Sequence, residues 1–186
     1  MRVGVRTPVG RTYQGVMLRI KHHSRMLLKH LTTKFSFPNP VNETAARIVA
    51  SGAAALGAVF VASGNGWLLV PLVYGFVART LSGPTFSPLG IVATRIIVPR
   101  IKTQHRFVAG PPKRFAQAIG AVLSIVASAL TLFGVETAAR IVITGLVAAA
   151  LLEAVFAVCL GCIMFGWLMR AGVIPDNVCK ECDNFN

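Results

Sequence analysis

The sequence predicts an all-α, multi-pass transmembrane bundle of about four spans, with an amphipathic interfacial helix and a short cysteine-bearing tail. Three observations predict it. Apolar residues make up 54% of the 186 positions and charged residues only 13%, with a mean hydropathy of +0.66, which is more apolar surface than a soluble core of this size needs. The apolar residues are gathered into four runs, at about 45–63, 67–81, 115–135 and 138–169. The 19 Lys and Arg, against 6 Asp and Glu, crowd into the stretches between those runs. Charge placed that way sets membrane orientation; no aromatic-interleaved basic surface or nucleic-acid module accompanies it, so nucleic acid is excluded as a partner.

The first run, Ala45 to Ser63, matches the length needed to cross a hydrocarbon core of roughly 30 Å. The second, Trp67 to Leu81, is shorter and contains Pro71 and Gly75, so it reads as a kinked span, with a re-entrant segment as the alternative. The third, Phe115 to Val135, is a clean crossing whose Ala121, Ser124 and Ser128 offer a small-residue packing seam. The fourth, Ala138 to Met169, is too long for one straight crossing. Its end is expected to tilt, to kink at Gly161 or to leave the bilayer as helix, before Arg170, Gly172 and Pro175 stop it.

Orientation follows from the basic residues. Those at Arg2, Arg6, Arg11, Arg19, Lys21, Arg25, Lys29 and Lys34 precede the first run, and another group lies between Arg79 and Arg114. The Gly64 to Gly66 connection has none, and the turn around Gly134 has only Arg140 nearby. The positive-inside rule then places both termini and the 82–114 loop in the cytoplasm, with four crossings returning the tail to the starting side. Three crossings would move the tail outside. Within the loop, Pro88 to Ile101 mixes Leu89, Ile91, Val92, Ile96, Ile97 and Val98 with Arg95 and Arg100. That stretch is either an interfacial helix on the anionic leaflet or a partly buried loop helix. The division expected is a basic arm over 1–41, a membrane domain over 42–171 and a cysteine-bearing tail over 172–186. The arm also has the composition of an organellar transit peptide, but a cytoplasmic arm touching lipid head groups is the preferred reading.

Two features repeat or cluster. Glu43 to Val49 and Glu136 to Val142 share the heptapeptide E-T-A-A-R-I-V. In the four-span topology these open antiparallel helices, either as an inverted repeat of the kind transporters use or as two similar helix starts with Glu at the positive helix end and Arg in the first turn. The four cysteines, Cys159, Cys162, Cys179 and Cys182, form C-x2-C-x16-C-x2-C. That spacing suits a tetrathiolate zinc site. It equally suits a redox or sulfur-handling pair of dithiols, in which one pair attacks and the other resolves, or the tail pair exchanges with a soluble thiol or sulfur-carrier protein. Against zinc, the first pair falls in an apolar stretch expected to be helix interior. A permanent structural disulfide is the least expected state in a cytosolic setting.

Glu153 is the one acid well inside an apolar run, where a charge costs on the order of 2.5–3.5 kcal/mol on insertion scales. It reads as a proton- or ion-handling carboxylate or as a hydrogen-bonded packing group. On an unbroken helix it lies nearly opposite Cys162. His22, His23, His30 and His105 fall in basic loops without a carboxylate at ligand spacing and read as solvated. No nucleophile–base pairing, phosphate loop or nucleotide fingerprint appears, which leans against an enzyme and assigns no catalytic residue.

Phe37-Pro-Asn-Pro-Val-Asn-Glu43, Gly83-Pro-Thr-Phe-Ser-Pro-Leu-Gly90, Gly110-Pro-Pro-Lys-Arg-Phe-Ala-Gln-Ala-Ile-Gly120 and the two C-x2-C pairs resemble domain-of-unknown-function family 4395 of bacterial integral membrane proteins. The resemblance implies a multi-pass protein of the bacterial plasma membrane and carries no established activity or catalytic residue. The leading expectation is a membrane component whose cysteines bind zinc or handle thiols or sulfur, with the bilayer, a soluble thiol or sulfur-carrier protein and further copies of the chain as its candidate partners. The competing one is a small transporter or channel subunit using Glu153.

Overall fold

The computed structural model describes residues 37–101, 106–175, 178, 179 and 182. The basic arm up to residue 36, all four histidines, Lys180, Glu181 and Asp183 lie outside the described residues. Five helices carry the fold: α1 (Glu43–Ser63), α2 (Leu69–Ser82), α3 (Gly110–Leu132), α4 (Glu136–Phe156) and α5 (Leu160–Arg170). Four helical segments are long and apolar enough to cross a membrane, those of α1, α3 and α4 and the stretch Gly66–Arg100 that contains α2. A two-residue antiparallel ladder, β1 (Val41–Asn42) on β2 (Phe107–Val108), pairs Val41 with Val108 and Asn42 with Phe107. It closes the chain across the end of the bundle where α1 and α3 begin.

The second apolar run traverses the whole bundle. A 3₁₀ turn, Gly66–Leu68, leads directly into α2, and together these 17 residues rise roughly 27 Å. Gly66 lies beside Thr131 at the far end of α3, whereas the Thr80 carbonyl accepts from Arg114 Nε at 2.9 Å near its start. Pro71 is the third residue of α2, inside the first turn, where no intrahelical N–H is needed, so it does not interrupt the helix. After Ser82 the chain stays largely helical through a short α-turn (Pro88–Ile91), a π-helical turn (Val92–Ile97) and a 3₁₀ turn (Val98–Arg100). Ala93 is fully buried here, and Leu89 and Val98 pack with it against Ala45 and Val49 of α1. Val92 and Ile96 stay exposed on the other face. This segment is therefore a loop helix seated on α1 that still presents an apolar outer face.

α3 starts before the predicted Phe115, because Pro111 and Pro112 fall in its first turn, where proline is tolerated. Ala121 and Ser124 of the expected seam are buried, and Gly120 is glycine because the Phe76 ring of α2 occupies the place of a Cβ. The fourth run is not one helix. α4 closes at Ala157, a non-glycine residue in the left-handed region (φ 58°), whose N–H bonds the Glu153 carbonyl, and α5 restarts at Leu160. The break is thus at Ala157 and not at Gly161. Gly161 instead lets α5 approach α3, since a Cβ there would lie 2.6 Å from Ala116 Cα.

The repeated heptapeptide has a structural counterpart. α1 and α4 are each 21 residues long, begin with the same seven residues and end at a left-handed residue, Gly64 (φ 69°) or Ala157 (φ 58°). They pack antiparallel, and the arginine of each copy reaches the carboxyl end of the other helix. Arg47 donates from Nε to the Ala154 carbonyl at 2.9 Å and from Nη2 to the Val155 carbonyl at 3.0 Å, while Arg140 Nη1 donates to the Val61 carbonyl at 3.4 Å. Each guanidinium satisfies carbonyls that a helix end leaves unpaired and opposes the negative end of its dipole. R47A is expected to cost about 1–2 kcal/mol and R140A less, since its bond is single and longer. Denaturant titration of the purified protein in detergent measures both; equal, negligible losses would remove the capping role.

Candidate thiol site

The three sequence stretches that precede the cysteines meet at one end of the bundle. Asn42 caps α1 by accepting from the Ala45 N–H at 3.2 Å, and Asn39 Oδ1 accepts from the Gly110 N–H at 2.8 Å. Gly83 (φ 63°) and Gly110 both abut Pro38, so a side chain at either would collide with it. Ser87, fully buried, caps the next short helix and accepts from Arg79 Nη1 at 3.0 Å. Arg79 also donates from Nε to Gln117 Oε1 at 2.8 Å and lies over the Phe76 ring at 4.7 Å from its centre. The sequence reading used Arg79 only for topology; the fold makes it a buried bracket between α2, α3 and the loop.

Lys113 is the second residue that reasoning from sequence missed. The early start of α3 brings it inside the bundle, 6% exposed, where Nζ bonds Glu153 Oε1 at 2.5 Å. Glu153 is thus a paired, hydrogen-bonded carboxylate. Its signal in sequence is weak, since a lysine after two prolines reads as loop.

Both cysteine pairs are joined as disulfides, Cys159–Cys162 and Cys179–Cys182, with Cα atoms 5.2 and 5.4 Å apart. The first pair is not in a helix interior, as its apolar surroundings suggested. Cys159 is the N-cap of α5, and its Sγ accepts from the Cys162 N–H at 3.3 Å. A sulfur held there faces the free N–H groups and positive dipole end of a helix, which favour negative charge on it once the pair is reduced. The helix break between Glu153 and Cys162 also removes the angular separation expected from one continuous helix. Lys113, the partner of Glu153, lines the same cavity as both cysteines.

That cavity measures about 680 Å³. Cys159, Cys162 and Cys182 all line it, whereas Cys179, 2% exposed, belongs to a buried cluster with Ala109 and Phe165 against which Cys182 packs. Phe165 itself stands edge-to-face on Phe115 of α3, 5.7 Å between ring centres. α5 is thereby fixed to α3 by one glycine contact, at Gly161 between the two cysteines, and one aromatic contact, at Phe165 just after them. Among the described residues no group of three or more His, Cys, Asp or Glu side chains is placed to share a metal ion. A tetrathiolate zinc site would require both disulfides to be reduced and the two pairs to converge.

Residues 41–170 match the profile of a family described as a domain of unknown function, DUF4395. The chain belongs to this family. In DUF4395 terms the matched region takes in all five helices and the first cysteine pair, and stops short of the second. No curated protein and no solved structure matches the chain.

Proposed function

We propose that this DUF4395 protein is a membrane thiol–disulfide exchange component in which the tail pair Cys179–Cys182 exchanges with a soluble thiol protein and passes its reducing equivalents to the helix pair Cys159–Cys162. One observation carries this reading: a C-x2-C disulfide at a helix N-terminus opens on the same cavity as a sulfur of the second disulfide. The exchange is balanced. A dithiol protein reduces Cys179–Cys182 and is itself oxidised. Cys182 thiolate then attacks Cys162, the more exposed sulfur of the helix pair, and Cys159 leaves as the thiolate that the helix N-terminus stabilises. Cys179 attacks Cys182 in turn, re-forming the tail disulfide and releasing the reduced helix pair.

The site is cytoplasmic in this reading, in a bacterial plasma membrane. Every described Lys and Arg except Arg140 lies toward the end of the bundle that holds the cysteines, and the stretch Gly66–Arg100 is long and apolar enough to cross, which supports four crossings and an inside tail. The transporter alternative drew on Glu153, on the broken second segment and on the repeat. Each of these has a structural role here, as ion-pair partner, continuous span and mutual cap.

Thiol counting on protein purified without reductant or chelator, with parallel metal analysis, tests the proposal. The expected result is four cysteines that resist alkylation until a dithiol protein of the thioredoxin type is added, and no bound zinc. About one zinc per chain, released only when the thiols are modified, overturns it.

A further inference from the structure

Thiol exchange alone gives no reason for the helix pair to sit at the membrane end of the relay, and the cavity beside it is far larger than a disulfide needs. Its 680 Å³ falls in the range of pockets that hold small organic ligands. The helix break between α4 and α5, at Phe156, Ala157 and Val158, forms part of its lining. Phe156, Val158 and Ile163 of that lining are 69, 38 and 44% exposed, and in a bilayer exposed apolar surface on such elements faces acyl chains. Trp167 and Met164 continue the same exposed face along α5, as expected for a helix lying near the lipid boundary. Pro112, Phe165 and Met169 give the lining apolar surface, while Arg106, paired with Glu43 at 3.6 Å, Lys113 and Arg170 supply hydrogen-bond donors. An occupant that enters from lipid, is largely flat and apolar, carries hydrogen-bond acceptors and meets a disulfide has the chemistry of a quinone.

We infer that this cavity is a binding site for the ring of a lipid-soluble quinone, which accepts the electrons of the reduced Cys159–Cys162 pair. The inference rests on the thiol-exchange reading and extends it to the membrane side. The reaction balances: the helix dithiol gives up two electrons and two protons, the quinone takes both and becomes the quinol, and the Cys159–Cys162 disulfide re-forms. Lys113, held by Glu153, lines the cavity and can donate a hydrogen bond to a quinone oxygen.

The test uses the full chain in lipid nanodiscs, reduced and freed of reductant, and titrated with a short-chain ubiquinone or menadione. Loss of quinone absorbance is expected to match thiol loss, one quinone per pair of thiols, with saturable kinetics. C159S/C162S is expected to abolish this reaction. I163W, which fills the mouth, is expected to raise the half-saturating quinone concentration at least tenfold while the final stoichiometry stays at one quinone per dithiol. Quinone consumption that persists in C159S/C162S, or that shows no saturation, overturns the quinone site, and so does binding of lipid or detergent alone in the cavity. Failure of a soluble dithiol protein to reduce the tail pair, with quinone reduction by the chemically reduced protein intact, would instead break the thiol-exchange reading and leave this site standing.

Discussion

E153L alone is expected to destabilise the protein by about 3–5 kcal/mol, because it leaves Lys113 charged and unpaired at 6% exposure. The pair is close (2.5 Å) and both side chains are nearly sequestered, at 8 and 12%, so solvent offers the orphaned ammonium little relief. K113M alone strands the carboxylate and is expected to cost a similar amount. The double variant K113M/E153L removes both charges together and is expected to return most of the loss, since an apolar pair of similar volume often matches a buried ion pair. Denaturant titration in detergent of the four proteins gives the coupling directly. Additive losses would show that the two residues act separately, and a double variant no better than its parents would argue that the charges are kept for something other than each other.

That pair also marks where the sequence was readable and where it was not. α1 and the body of α3 were legible because length and apolarity alone decide whether a segment can cross, and no tertiary contact was needed. α2 was ambiguous because proline inside an apolar run ordinarily breaks a helix; only the helix start at Leu69, two residues before Pro71 and just after a 3₁₀ turn, makes Pro71 harmless. The start of α3 was missed for the same reason at Pro111 and Pro112, and with it the burial of Lys113. The break at Ala157 had no signature. Ala, Val and Cys in Ala157-Val158-Cys159 do not stop helices, and the carbonyls freed by the stop are bound by Arg47, some hundred positions away in the chain.

This same break decides the cysteines. Spacing alone identified two C-x2-C pairs, and it left metal and redox chemistry equally open because both need two sulfurs within reach of one another. Placement at the N-terminus of α5, with the Cys159 sulfur accepting the Cys162 N–H, is a tertiary outcome of closing α4 early. The repeat, by contrast, was visible as text, yet its meaning was not. Two arginines at the fifth position of equal-length antiparallel helices become mutual caps only when the helices are seen side by side.

The relay makes its sharpest demand on which sulfurs can meet. Cys162 and Cys182 line the shared cavity, while Cys179 is buried in the cluster against which Cys182 packs. In C159S/C179S, which retains Cys162 and Cys182 alone, mild oxidation is therefore expected to form a single intramolecular disulfide to completion. In C162S/C182S, which retains Cys159 and Cys179, the crosslink is expected to form at least roughly tenfold more slowly, since exchange rates follow access to the sulfur attacked as well as thiolate character. Mass spectrometry of the alkylated proteins reads both without any assumption about the soluble partner. Equal rates in the two variants would mean that Cys182 has no better access to the helix pair than Cys179, and the direct hand-over from Cys182 to Cys162 would fail. A fast Cys162–Cys182 bond would also fix the order of events. Electrons entering at the tail must pass Cys182 before they reach α5, so C182S is expected to lower by about a thousandfold or more the rate at which a soluble dithiol protein reduces the helix pair, the scale seen when an exchanging nucleophile is removed from a thiol or hydroxyl relay.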